Sequence, residues 1–375
     1  MKKIATALGT FALTATVAQA GGIDRSGQSI GILFEKGNYT EFSFGRVSPK
    51  VSGTGAGTVT TLLTPSPGDA SGDMAVSYNQ ISGGLKYQFS DRLSAALIVD
   101  QPFGADVNYA ATTIYFARGS TAKIRTMAMT GLLKYTTANN LSVYGGLKYQ
   151  TMSAVASVPF IGFYNGRADR DGGVGYVVGV AYEKPEIALR VALTYSSKVK
   201  HDFSVVESSA LSGGADVSST TRVETPQSVN LDFQSGVAKD TLVFGSIRWV
   251  DWSNFKMDPS VYDALTSGGD LVSYKKDTII YSLGVGRKIN NNWAVSAAVG
   301  YEKPSKGFAA NLGPTDGKKS LTLGAIYTRD NMKITGGVSY VKIGDTQTTL
   351  GGGVTAANFT GNKAIGVGIK VGYSF

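Results

Sequence analysis

The chain has 375 residues, enough for one large domain or two ordinary ones, and its 42% hydrophobic content allows a real core. It has no cysteine and a single histidine, His201, which removes disulfides, thiolate metal sites and most zinc and triad chemistry. The formal net charge of +9 is spread over single lysines and pairs such as Lys275-Lys276 and Lys318-Lys319; no basic stripe interleaves with aromatics, so nucleic acid is not an expected partner.

Charged residues make up only 17% of the chain, whereas glycine numbers 48, tyrosine 19 and phenylalanine 16. That mix suits short strands and turns better than helices and points to an all-β fold. Residues 1–20, MKKIATALGTFALTATVAQA, carry two lysines, an apolar stretch over 4–17 and Ala18-Gln19-Ala20 as a cleavage site; this is the pattern of a secretory signal peptide. Beyond residue 20 no apolar run approaches the roughly 18 to 20 residues of a membrane-crossing helix. The exported chain is then either soluble or a membrane barrel, and the strand pattern must decide.

A first strand is expected over 40–48. Six pairs of alternating segments follow, joined at Ser90-Asp91-Arg92, Ala138-Asn139-Asn140, Lys184-Pro185-Glu186, Ala238-Lys239-Asp240, Asn290-Asn291-Asn292 and Arg329-Asp330-Asn331, each with the chemistry of a tight hairpin turn. Between the pairs lie longer Gly/Ser/Thr/Asp-rich stretches, expected as loops over 49–75, 102–121, 155–171, 201–225, 253–271, 304–317 and 345–362. A last strand over 363–375 brings the expected count to fourteen. An even count with short turns on one side and long loops on the other is the layout of an outer-membrane barrel, whose short turns face the periplasm. On that layout residues 201–225 and 253–271 face outside and the turn at 290–292 faces the periplasm.

The faces fit. In WAVSAAVGYE, residues 293–302, Trp293, Val295, Ala297, Val299 and Tyr301 share one parity, and Ala294, Ser296, Ala298, Gly300 and Glu302 the other. In AIGVGIKVGYSF, residues 364–375, the large residues again alternate with small ones. The large face suits lipid, with aromatics at the strand ends as a girdle, and the small face leaves a lumen. Charges facing lipid at mid-depth cost about 2 to 4 kcal/mol for Lys or Arg, so ionisable residues of inward parity are informative. These are Lys86 and Lys134 near the turns, Lys148 and Lys370 further up, and Glu302 high on its strand. The Gly-Val-Gly triplets at 173–175 and 366–368 sit in strands without the spacing of a dinucleotide fingerprint and read as small lumen residues. His201 reads as a polar residue at a loop base.

Four stretches resemble the FadL/TodX group of outer-membrane transporters for long-chain fatty acids and other hydrophobic molecules. They are QPFGADVNY at 101–109, GVGYVVGVAYEKPEIALRVALTYSSKVKHDF at 173–203, TPQSVNLDFQSGVAKDTLVFGSIRWVDWSNF at 225–255 and YSLGVGRKINNNWAVSAAVGYEKPS at 281–305. Trp252-Ser253 and the run from Tyr195 to His201 are the most specific. The resemblance implies a transmembrane antiparallel barrel of about fourteen strands over 39–375, with a short hatch over 21–38 in its lumen. Members usually carry Asn-Pro-Ala in the hatch, where this chain has Leu33-Phe34-Glu35-Lys36-Gly37-Asn38. It further implies a passive channel with a sideways exit through the wall. Pro102 either interrupts the third strand or merely ends it.

The expected site follows. Ile30, Ile32, Leu33 and Phe34 of the hatch would contact the apolar ligand. The resemblance gives Glu302 a part in ligand capture, with Lys276 as its first-choice basic partner and Lys148 and Lys370 as alternatives for a ligand carboxylate. No catalytic residue, metal or cofactor is expected. Expected partners are a hydrophobic small molecule and outer-membrane lipids, and the chain is expected as a monomer. The competing readings are a porin for small polar solutes and a barrel lipid hydrolase using His201.

Overall fold

The computed structural model describes residues 23–57 and 67–375; the expected signal peptide lies outside the described residues. Fourteen barrel strands follow one another. They are β1 (Tyr39–Lys50), β2 (Tyr78–Gln88), β3 (Leu93–Asp100, resumed as Gly104–Asn108), β4 (Thr121–Thr136), β5 (Leu141–Val158), β6 (Tyr164–Lys184) and β7 (Leu189–Ser196, resumed as Val199–Ser208). They continue as β8 (Val217–Thr225, resumed as Ser228–Ala238), β9 (Thr241–Val250), β10 (Thr278–Lys288), β11 (Trp293–Glu302), β12 (Lys318–Arg329), β13 (Met332–Ile343) and β14 (Lys363–Ser374). Each pairs antiparallel with its neighbours, and β1 closes the ring on β14 from Tyr39↔Ser374 to Lys50↔Lys363. Closure joins the first strand to the last, so the sheet has no free end strand, which is what a membrane demands of strands.

Parity behaves as the sequence requires. Ile365, Val367 and Ile369 of β14 are exposed while Ala364 and Gly366, of the other parity, are buried. Leu147 of β5 and Val174 of β6 are 67% and 65% exposed on the outer surface. Such an outward apolar belt is stable only against hydrocarbon, where each large side chain gains about 1.5 to 3 kcal/mol over exposure to water. The turns at 90–92, 138–140, 184–186, 238–240, 290–292 and 329–331 all fall between consecutive strands.

Two expected loops are corrected. Residues 155–171 are mostly strand, with β5 and β6 paired to Val158↔Tyr164, and 201–225 is mostly a hairpin paired from Val199↔Thr225 to Glu207↔Val217. Their Gly/Ser/Asp content reads as loop, yet it still alternates. Phe203, Val205, Thr221 and Val223 all point inward and are buried, so tertiary packing overrides composition.

Residues 23–38 lie inside the ring. Gly31–Phe34 forms one 3-10 turn with Ile32 and Leu33 buried, packed with Ile98, Leu132, Tyr144 and Val177 of the wall. A Cβ at Gly84 would sit 2.6 Å from the end of the Ile32 side chain, which would have to move to admit it. Polar bonds tie the segment to opposite walls. Arg248 of β9 donates to Asp24 at 2.8 Å and to Asn230 at 2.7 Å, while Lys86 of β2 donates to the Glu35 and Gly37 carbonyls at 2.7 and 3.0 Å. Lys333 of β13 pairs with Glu35 at 2.7 Å. Phe34 lies between Lys134 and Arg190, whose charges stand 4.8 and 4.7 Å from its ring.

Candidate functional site

At the loop end, the upper parts of β4 to β8 carry small and apolar residues on their inner face. Ile124 of β4, Ala154 and Ala156 of β5, Ala168 of β6, Phe203 and Val205 of β7 and Val223 of β8 enclose a cavity with about 500 Å³ of empty space. Met257, Pro259, Leu271 and Val272 cover it from the long loop between β9 and β10. Among the described residues no Lys, Arg, His, Asp or Glu lines it, and Tyr164 and Thr221 contribute its only side-chain hydroxyls.

The cover is held by polar anchors outside the cavity. A short helix, α1 (Ser260–Thr266), has the Val261 and Tyr262 N–H groups donating to the buried Glu207 carboxylate at 3.1 and 3.2 Å; Tyr164 and Ser219 also donate to it, at 3.2 and 2.9 Å. Glu207 thus caps the helix from another element and satisfies its unpaired donors. At the other end of the loop, Ser253 donates to Asp277 from its hydroxyl at 2.6 Å and its N–H at 3.0 Å, and Trp249 donates to the same carboxylate at 3.1 Å. Burial pushes the Asp277 carboxyl up, but the donors from Ser253 and Trp249 outweigh it and hold it below the ordinary aspartate value. The specific pair Trp252-Ser253 is therefore half anchor and half packing. Trp252 is fully buried against Phe103, Phe255 and Tyr274, with ring centroids 5.7, 5.5 and 5.0 Å away. Ile23, Phe103 and Trp252 belong to one apolar cluster with the cavity residues Ile124, Phe203 and Met257.

Phe103 adjoins a break in the wall. Both parts of β3 pair with β4, so Pro102 interrupts the strand and does not end it. Lacking an N–H, Pro102 cannot serve the ladder, and its carbonyl instead accepts from the Arg25 N–H at 2.8 Å while Gly104 N–H donates to Ile23 at 2.8 Å. The N-terminal segment takes the place of a neighbouring strand there. A Cβ at Gly104 would lie 2.7 Å from the Arg25 guanidinium. On the other side, residues 78–82 of β2 pair with β1 but not with β3. The gap is spanned by Gln101, whose side-chain oxygen accepts from the Ile81 N–H at 3.1 Å and whose carbonyl accepts from Gln80 at 3.0 Å. Behind it lies a cavity lined by Ile32, Gln80, Asp100 and Lys370.

The expected site residues are divided. Ile32 and Lys370 line that cavity, and Ile30 and Lys148 line a smaller one. Leu33 is fully buried and Phe34 stands edge-on to Tyr144 at 5.8 Å. Lys148 is buried and donates to the Ser197 carbonyl at 3.3 Å; Lys370 pairs with Glu41 at 3.3 Å. The expected pairing of Glu302 with Lys276 is corrected. Glu302 lies 3.5 Å from Lys318, directly opposite it on β12, while Lys276 is exposed and donates to the Ser305 carbonyl at 2.6 Å. The partner comes from the strand on the other side of β11. His201 is buried with Asp171 at 3.3 Å and Gln150 at 3.2 Å, and no serine hydroxyl bonds to it among the described residues.

The family profile described as outer membrane protein transport protein (OMPP1/FadL/TodX) matches residues 37–375. No curated protein matches the chain in sequence. Among solved structures, a Pseudomonas aeruginosa FadL homologue superposes with a TM-score of 0.74 at 16% identity, covering 92% of each chain. The P. putida toluene transporter TodX gives 0.61 at 14% identity over 91% of this chain and 90% of its own. The Ralstonia pickettii toluene transporter TbuX gives 0.60 at 14% over 92% and 90%. These likenesses concern the fold, while the profile spans nearly the whole chain, so the protein belongs to the OMPP1/FadL/TodX family of outer-membrane transport proteins, which are channels and not enzymes.

Proposed function

We propose that this protein carries hydrophobic small molecules inward across the outer membrane. A ligand enters among the loops, rests in the apolar cavity, moves past Ile23, Phe103 and Trp252, and leaves sideways where Gln101 closes the break in β3. The observation that carries this reading is the apolar cavity itself. Its described lining offers burial without a single Lys, Arg, His, Asp or Glu, which favours a neutral hydrocarbon or the tail of a fatty acid over a polar solute. The toluene transporters TodX and TbuX are similar in fold and make aromatic hydrocarbons natural first ligands to try.

Ile30, Ile32, Leu33 and Phe34 act as the hatch in this scheme. Lys148 and Lys370 beside them are the cations a carboxylate would meet, and the chain works as a monomer in a lipid bilayer. Lys276 and Glu302 lie apart from these cavities and serve the head group less well. Binding is tested by titrating purified protein with toluene and with a long-chain fatty acid while following Trp252 fluorescence, with Trp252→Phe as the control. A saturable change lost in the control supports the cavity as the capture site. No saturable response to either ligand would leave the cavity without that role.

A further inference from the structure

Four outward lysines stand in one hydrogen-bond row at the loop end of the barrel. Lys319 of β12 is opposite Lys342 of β13, Lys342 is opposite Lys363 of β14, and Lys363 is opposite Lys50 of β1. All four are exposed. Directly opposed residues on antiparallel strands have Cβ atoms about 4.5 to 5.5 Å apart, and like charges so placed are destabilising. No carboxylate relieves them: the lysines that form ion pairs among the described residues lie elsewhere, as at Glu302–Lys318 and Glu41–Lys370. Across the barrel, the exposed Lys198, Lys200 and Arg222 are matched by Glu224 and Asp202. The row therefore differs from that neutralised part of the rim in having four unmatched lysines side by side.

Its height is also fixed. The next outward residues toward the turns are Leu321, Tyr340 and Ile365, themselves one register row and each close to half exposed. The lysines thus sit at the upper margin of the apolar belt, climbing obliquely because barrel strands tilt by roughly 35–45°. Beside Lys319, an outward groove with about 960 Å³ of empty space runs down the lipid face between Tyr281, Leu283, Val299 and Tyr301. Its upper rim is Lys319.

We propose that this face binds a phosphorylated, multiply acylated glycolipid of the outer leaflet. Its phosphates lie along Lys319, Lys342, Lys363 and Lys50, and one acyl chain lies in the groove beneath Lys319. Lysine clusters at a membrane surface attract anionic head groups, and the long side chains reach up from the belt to meet them. The lipid supplies the counter-charge that the protein lacks here, and a patch combining point charges with an apolar slot selects a molecule carrying both.

The test uses the full chain purified from outer membranes in mild detergent. Co-purifying glycolipid is quantified for the wild type, for the quadruple variant Lys50→Gln, Lys319→Gln, Lys342→Gln, Lys363→Gln, and for a turn-end control, Lys184→Gln with Lys239→Gln. The expected result is at least tenfold less lipid on the quadruple variant and an unchanged amount on the control. Delipidated wild type should then bind lipid A with at least tenfold preference over its dephosphorylated form, and inorganic phosphate alone should not displace it. Should the quadruple variant fail to fold, as judged by heat-modifiability, Lys319→Gln with Lys342→Gln replaces it with a threefold loss expected. Equal lipid on wild type and variant, equal binding of the dephosphorylated form, or displacement by inorganic phosphate would each overturn the proposal.

Discussion

Replacing Glu207 by alanine should free the cover of the cavity while leaving the barrel closed. Its carboxylate holds two N–H groups of α1 together with Tyr164 and Ser219, and removing it strands buried donors at a cost of about 1 to 3 kcal/mol. Hydrogen exchange should quicken over 260–266 and stay slow in β9 and β10. Asp277 at the other anchor titrates. Its folded value is depressed, so its contribution is complete above the unfolded value of about 3.9 and is lost as pH falls through the folded value. Trp252 fluorescence should therefore stay flat from neutral pH down to about 4 and shift only below it, and Asp277→Asn should remove that shift. Lys148→Ala is expected to slow uptake of a fatty acid more than that of toluene, read from initial rates in the same cells. Little of this was legible beforehand. The inward lysines followed from parity, but Glu207 meets Val261 and Tyr262 only through the fold, and Glu302 found Lys318 because its register partner lies on β12.

The interruption of β3 is the element on which the sideways exit depends. Gln101→Ala removes the side-chain acceptor of the Ile81 N–H and should widen the gap between β2 and β3. Uptake of a hydrocarbon should rise or hold while a bulky outside probe gains access to Cys introduced at Gln80; unchanged access would argue that the break is sealed by something other than Gln101. Pro102 announced an irregularity in the sequence, yet a proline at a strand's end and one inside it look alike until the pairing of Gly104–Asn108 with β4 is seen. Strand length was misjudged for the same kind of reason. The upper halves of β5 to β8 alternate in residues of modest size, Ala154, Ala156 and Ala168 among them, and small side chains give a weak periodic signal. Those weak stretches are the ones that build the cavity.

At the scale of the molecule, closure and parity were the most legible features because each rests on many residues at once. Large apolar residues face outward along the membrane-spanning part of strand after strand, and the six short turns carry their own chemistry. The cavity was not legible, since it is assembled from five strands and two loops whose apolar residues look like ordinary core. Deleting residues 24–36 should leave a folded, heat-modifiable barrel with increased ion conductance in planar bilayers, because bonds from Arg248, Lys86 and Lys333 hold this segment across the lumen.

The most direct measurement is initial uptake of radiolabelled toluene by cells expressing the wild type or Ala168→Trp, at matched amounts of folded barrel. Ala168 is buried and lines the cavity, so an indole there fills the space a ligand would occupy without touching the outer belt. Uptake at least tenfold lower in the variant is the expected result. Equal uptake by the two proteins would contradict passage through the cavity.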